Sequence, residues 1–435
     1  MRKIAYIIWL LLGSMGLSAQ VHVHAFLPNI KTLKAERVSM VNELRNAKTI
    51  QRPFLVLNDG LIDGTDEENT LLISFDEMSH NVHMYSYRIE HLNYDGSVSG
   101  LTSSEYLNGF TTGDIRDYDH SLNTTRVYTH YAFVFPNEDI QLTKSGKYRI
   151  TIYEDNDPDK RVGEVEFVVV EPLVQIVPNV RYDTPIEING RYQQLEIDLN
   201  ASSLGVRDPN EYKIVVEQNN RRDNLVLLTQ PTYIQGDRLR YVNKRELIFE
   251  GGNEYRHFDS YSTYMAGTNI NQIRFFNNDY HAPLMPDPCY NSNEQYIHEY
   301  DANGMFIVNA EHTNDVETEA EYMWVHWTLP VEQPWMDGIL YVGGDLFENR
   351  MTSANRMDYD AANKCYTLSA LVKQGGYDYQ YWFVPKTADG SQLVDKKTTT
   401  QRTDGSFWQT SNQYGIYVYY RPFGARYDRL VGVSL

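Results

Sequence analysis

Carboxylates and histidines are the side chains of this chain best able to do chemistry, and their spacing decides which chemistry is open. Glu254, Asp259, Asp301 and Asp345 sit in turn-rich stretches. Hydrolysis of a glycosidic bond would need two such acids at a fixed separation, one as proton donor and one as base or nucleophile. No interval singles out a pair, so they read as solvated turn acids. His22 and His24 alternate and could begin a metal site if a third ligand arrived, while His80, His83, His130 and His257 are scattered. The HExxH, Gly-x-Ser-x-Gly and phosphate-loop patterns are absent. Gly251-Gly252, Gly343-Gly344 and Gly375-Gly376 read as strand ends where the backbone turns or approaches a neighbour. The expectation is a non-enzyme with no catalytic, cofactor-binding or metal-binding residues and no cofactor.

Two cysteines, Cys289 and Cys365, stand far apart without a CxxC neighbour. Spacing leaves open whether they pair. The segment 320–435 holds the most ligand-like aromatics: Trp324, Trp327, Tyr341 and the run Lys373-Gln374-Gly375-Gly376-Tyr377-Asp378-Tyr379-Gln380-Tyr381. That run resembles the hairpin of starch- and glycogen-binding modules of the early-set immunoglobulin-like type. Aromatic faces stack on sugar rings, yet Tyr377, Tyr379 and Tyr381 share one face of a strand, which is the arrangement of a core.

The elements that must position these groups are strands. Tyr85, Tyr87, Ile89 and His91 alternate with Ser86, Arg88 and Glu90; Tyr148, Ile150 and Ile152 alternate with Lys147, Arg149 and Thr151; Val165, Phe167 and Val169 repeat the pattern. Period two between Gly, Asn, Asp and Pro clusters predicts antiparallel sheets with one wet face, and 34 tyrosines suit cross-strand packing. One segment, Ala35 to Lys48, has a helical spacing of Val38, Val41 and Leu44. The fold class expected is all-β, with tandem immunoglobulin-like or early-set β-sandwich modules. The boundaries drawn are 1–19 as a leader, 30–171, 172–313 and 320–435. Glu171-Pro172 ends the first module, because proline removes a ladder donor, and the acidic stretch Asn314 to Glu319 precedes the third.

Arg2 and Lys3 precede an apolar run from Ile4 to Leu12 and the small residues Ser18-Ala19, the order of a secretory signal peptide cleaved after Ala19. The run is about half the length a bilayer span needs, and Gln20 lacks the cysteine of a lipoprotein. The expectation is export without a direct membrane span. A net charge of −19 argues against nucleic acid as partner, which demands concentrated Lys and Arg.

Several stretches together resemble one family, the type IX secretion system plug proteins of Bacteroidetes. In the first module they are Leu72 to Asp76, Tyr85 to His91, Ser104 to Gly109, Asp117 to Thr124, Tyr128 to Tyr131, Phe135 to Asn137 and Ser145 to Tyr148. Gln218-Asn219, Phe249 to Arg256, Asp301 to Gly304, Lys373 to Tyr381, Thr410 to Tyr414 and Val418 to Arg421 continue the series in one order. Where the family has His-Cys-Asn and then Asp-Trp, this chain has His91-Leu92-Asn93 and then Tyr94-Asp95, so no role of that cysteine or tryptophan carries over. The resemblance implies a periplasmic, non-catalytic component that plugs the periplasmic opening of the outer-membrane translocon barrel when no substrate occupies it, with the barrel protein as partner. A glycan-binding protein using the third module is the alternative.

Overall fold

Alternating apolar and polar residues become β-structure almost throughout. The computed structural model describes residues 21–39, 53–290, 292–387 and 397–435. The leader at 1–19 and most of the helical segment expected at 35–48 lie outside these residues. Residues 35–37 of that segment continue the strand Ile30–Arg37, with Ala35 opposite Ile73 in the sheet, and residues 38–39 are helical.

In the first sandwich one sheet runs Ile30–Arg37, Leu71–Glu77, Thr129–Phe135, Asp117–His120 in spatial order. The other runs His22–Ala25, Arg161–Val170, Gly146–Glu154, Tyr85–Leu92, Thr112–Ile115. Inward residues of both sheets share one core that includes Ile73, Phe75, Tyr87, Ile89, Tyr131, Phe133 and Ile150. Tyr87 stacks on Phe133 across the sheets at 4.5 Å. Each such side chain removed from water contributes about 1.5–3 kcal/mol. Leu92, where the family has its cysteine, is fully buried, as a packing position requires.

The remaining strands divide differently from the sequence boundaries. Gln175–Arg181, Tyr192–Asn200, Arg238–Tyr241 and Tyr233–Gln235 form one sheet of the second sandwich. Its other sheet is Val226–Leu228, Tyr212–Gln218, Tyr414–Tyr420, Arg429–Ser434. Thus the C-terminal strands leave the segment 320–435 and complete the second core, where Tyr414, Ile416, Val418, Tyr420 and Val431 meet Leu195, Ile197, Tyr212 and Ile214. The third sandwich lies within the second in sequence. It pairs Arg256–Asp259, Gly375–Pro385, Phe306–Val308 and Gly338–Gly343 in one layer, and Arg274–Phe276, Asp279–Pro283, Tyr322–Pro330, Cys365–Lys373 and Asp358–Asp360 in the other. The strands at 274–276 and 306–308, expected in the second module, belong here. Alternation marks a strand but carries no label for its partner.

Candidate functional site

At the junction of the first and third sandwiches, strand ends bring charge into a dry place. Asp76 is next to last in the strand Leu71–Glu77, and Lys373 ends Cys365–Lys373. Lys373 Nζ lies 2.6 Å from Asp76 Oδ2, with 0% and 1% of the two side chains exposed. Tyr322 donates its hydroxyl to the same Asp76 oxygen at 2.7 Å, and His130 Nδ1 meets Asp76 Oδ1 at 2.7 Å. Burial opposes ionisation of Asp76, yet Lys373 and His130 hold its carboxyl below the ordinary value. Lys373 also donates to the Glu317 carbonyl at 2.7 Å and lies 4.4 Å from the centre of the Tyr128 ring. A buried charge so fully partnered is stable where it is and costly to leave alone.

The acidic stretch before the third module is part of this lock. Asp315 caps a short helix, Val316–Glu319, by accepting from the Glu317 N–H. Glu317 Oε1 pairs with Lys34 Nζ at 2.9 Å. Although burial works against it, Lys34 and Lys373 draw the Glu317 carboxyl down to about 2. Asp76, His130 and Lys373 each lie in a different one of the stretches that carry the family resemblance, and they meet at one point.

The other junctions use the same device. Glu166, buried on Arg161–Val170, accepts from Arg149 Nη2 at 2.7 Å and pairs with Lys147 at 2.9 Å and with Arg222 of the second sandwich at 3.1 Å. Amides brace the second sandwich and its connector to the third. Gln218 donates to the Glu250 carbonyl at 2.9 Å, Asn219 to Asn412 Oδ1 at 2.7 Å, Asn412 to the Gly251 carbonyl at 2.7 Å, and Gln380 to the Asn253 carbonyl at 2.7 Å. Inside the third sandwich Arg256 binds Asp404 at 2.6 Å and Asp287 at 3.0 Å, while Tyr379 and Tyr381 donate to Asp287 at 2.8 and 2.6 Å. Burial, with Asp404 nearby, raises the Asp287 carboxyl.

The acids and histidines singled out in the sequence hold loops. Asp301 accepts backbone N–H groups of Tyr255 and Asn303 through its two oxygens. Burial, with the charges of Asp378 and Glu254, pushes it up to about 7. Glu254 accepts from the Tyr296 hydroxyl and the Ser411 N–H, Asp259 from the Thr268 N–H at 3.1 Å, and Asp345 from the Asn349 amide. His24 meets Glu348 at 2.7 Å, His83 meets Glu77 at 2.8 Å, and His257 meets Asp378 at 2.9 Å. His22 lies 3.6 Å from Glu217, and His80 bonds Ser121 at 3.0 Å. Among the described residues no group of three or more His, Cys, Asp or Glu is placed to hold a metal. Cys289 and Cys365 are free thiols.

The aromatics considered for sugar stacking are core. Tyr377, Tyr379, Tyr381 and Trp327 are at most 1% exposed and fill the third sandwich. Trp324 is half-buried and donates its indole N–H to Asp279 at 3.3 Å. The charged residues of the locks escaped the sequence reading, which assigned them no role. The one available signal was an ionisable residue directly after an apolar strand residue, as Asp76 follows Phe75 and Lys373 follows Val372.

Residues 46–171 match the family profile described as the type 9 secretion system plug protein 1st domain. The chain belongs to the type IX secretion system plug family. A crystal structure of a hypothetical protein from Parabacteroides merdae ATCC 43184 is similar over nearly the whole length of this plug-family chain. It shares 35% identity and a TM-score of 0.84, covering 96% of this chain and 98% of that one. No curated protein matches the chain. The plug family associates the chain with type IX secretion and the cell envelope. No helix among the described residues is long and apolar enough to cross a membrane.

Proposed function

We propose that this protein is a non-catalytic plug that closes the periplasmic opening of the outer-membrane translocon barrel of the type IX system while no substrate occupies it. The observation that carries this reading is the plug-domain match over residues 46–171. The body behind that domain suits the task, because a plug must resist deformation across its whole width. Ion pairs join the first sandwich to each of the others, through Asp76–Lys373 and Glu166–Arg222. Breaking the buried Asp76–Lys373 pair one partner at a time costs several kcal/mol, which ties the first sandwich firmly to the third. The leader exports the chain to the periplasm, and the barrel protein retains it at the outer membrane. Release on loading is a population shift driven by whatever binds the loaded barrel better.

Affinity purification of the periplasmic chain from detergent-solubilised envelopes tests partner and place together. The barrel protein is expected to co-purify, and deletion of the plug is expected to make the outer membrane leaky to large antibiotics while secretion continues. A non-leaky deletion strain together with no barrel association would rule the reading out.

A further inference from the structure

A cleft of about 700 Å³ opens between the second and third sandwiches, away from the buried aromatics of the third core. That size falls in the range of ligand sites. Trp408 lines it, half-buried, and is fixed from several sides. Its N–H donates to the Gly190 carbonyl at 3.0 Å, its carbonyl accepts from Gln193 Nε2 at 2.8 Å, and the Tyr182 ring lies 4.7 Å away. Tyr296 also lines the cleft. An aromatic surface held in place in this way costs little ordering entropy on binding.

The polar lining holds one ion pair and a further carboxylate, Glu294. Glu187 Oε2 accepts from Arg191 Nε at 3.0 Å and from the Arg191 N–H at 3.2 Å. Arg191 Nη1 reaches Gln401 Oε1 at 3.4 Å, and Gln401 donates to Glu250 Oε1 at 2.9 Å. The arginine is already paired, so the cleft makes no demand for an anion. What remains is a fixed row of carboxylate, guanidinium and amide groups beside an aromatic face. Planar groups of this kind bond hydroxyls, and an indole packs against the C–H face of a sugar ring.

We propose that this cleft binds a short neutral oligosaccharide, with its ring faces on Trp408 and Tyr296 and its hydroxyls on Glu187, Arg191 and Gln401. The site is independent of the plug reading. Envelope glycans supply such sugars from two sources, the amino-sugar backbone of the cell wall and neutral hexose polysaccharides of the surface.

The test titrates the full mature chain with chito-oligosaccharides for the first source and with malto- and manno-oligosaccharides for the second, following tryptophan fluorescence and heat. Saturable binding to at least one arm is expected, weakened about tenfold by Trp408→Ala, the scale of one lost aromatic contact. The melting temperature of that variant is expected to stay unchanged. Gln401→Ala should weaken binding as well, and it replaces Trp408→Ala as the deciding variant if the latter melts early. No saturable binding in either arm, or binding equally strong in the deciding variant, would overturn the proposal.

Discussion

Lys373 Nζ and Asp76 Oδ2 meet at 2.6 Å although 297 positions separate them in the chain. Removing one partner of such a pair leaves the other charged and dry, a loss of about 3–5 kcal/mol. Asp76→Ala is expected to reach that range, because Tyr322 and His130 lose their acceptor too. Urea denaturation read by tryptophan fluorescence measures it. The double variant Asp76→Leu with Lys373→Met should recover part of the loss, since it leaves no unpaired charge between the two. A double variant as unstable as the sum of the singles would contradict the coupling.

Asp301 predicts a pH dependence of the opposite sign to that of Asp76 and Glu317. Its carboxyl is raised from 3.8 to about 7 in the folded chain, so the native state holds a proton the unfolded chain has released. That favours folding below about pH 4, and the contribution is lost as pH rises to about 7. Asp76 and Glu317 are lowered; their contribution is present above the ordinary carboxylate range and is lost as pH falls toward 2. Asp301→Asn should flatten the decline in denaturant midpoint between pH 4 and 7 while leaving the acid limb in place. An unchanged slope in that window would show that Asp301 is not the group responsible.

The two cysteines are predicted to be chemically quiet thiols in the native protein. Burial pushes the Cys289 thiol up to about 11, and Cys365 is buried and also raised. The thiolate is the reactive form, so iodoacetamide at pH 8 should label neither quickly. After unfolding in guanidinium without reductant, mass spectrometry should find two alkyl groups. A mass two hydrogens lighter with no label would reveal a bridge instead.

Gly146 occupies a backbone position only glycine accepts easily, with φ of +144°. A Cβ there would lie 2.5 Å from His91 Nε2, whose ring is buried and held neutral by desolvation down to about 4. Gly146→Ala should therefore cost roughly 2 kcal/mol, from backbone conformation and a displaced ring together. Gly236→Ala, where φ is +58° and no atom lies within 4 Å, isolates the conformational part and should cost less. Thermal melts of the two variants make the comparison.

Strand character and the acidic, β-rich type of chain were legible in the residues themselves, because composition, period two and turn chemistry are local. Tyr85–Leu92, Gly146–Glu154 and Arg161–Val170 lie where the alternation put them, and the stretches from Leu72 to Arg421 were enough to point to the plug family. Partner choice was not legible. Tyr414–Tyr420 is an aromatic-rich apolar run that reads as a strand, but only the fold decides that Tyr420 lies opposite Tyr212 rather than within the third sandwich. Asp76, His130, Glu317 and Lys373 are ordinary polar residues in sequence. The first and third sandwiches had to close on them before water was excluded, and the loss of water is what turned them into a lock.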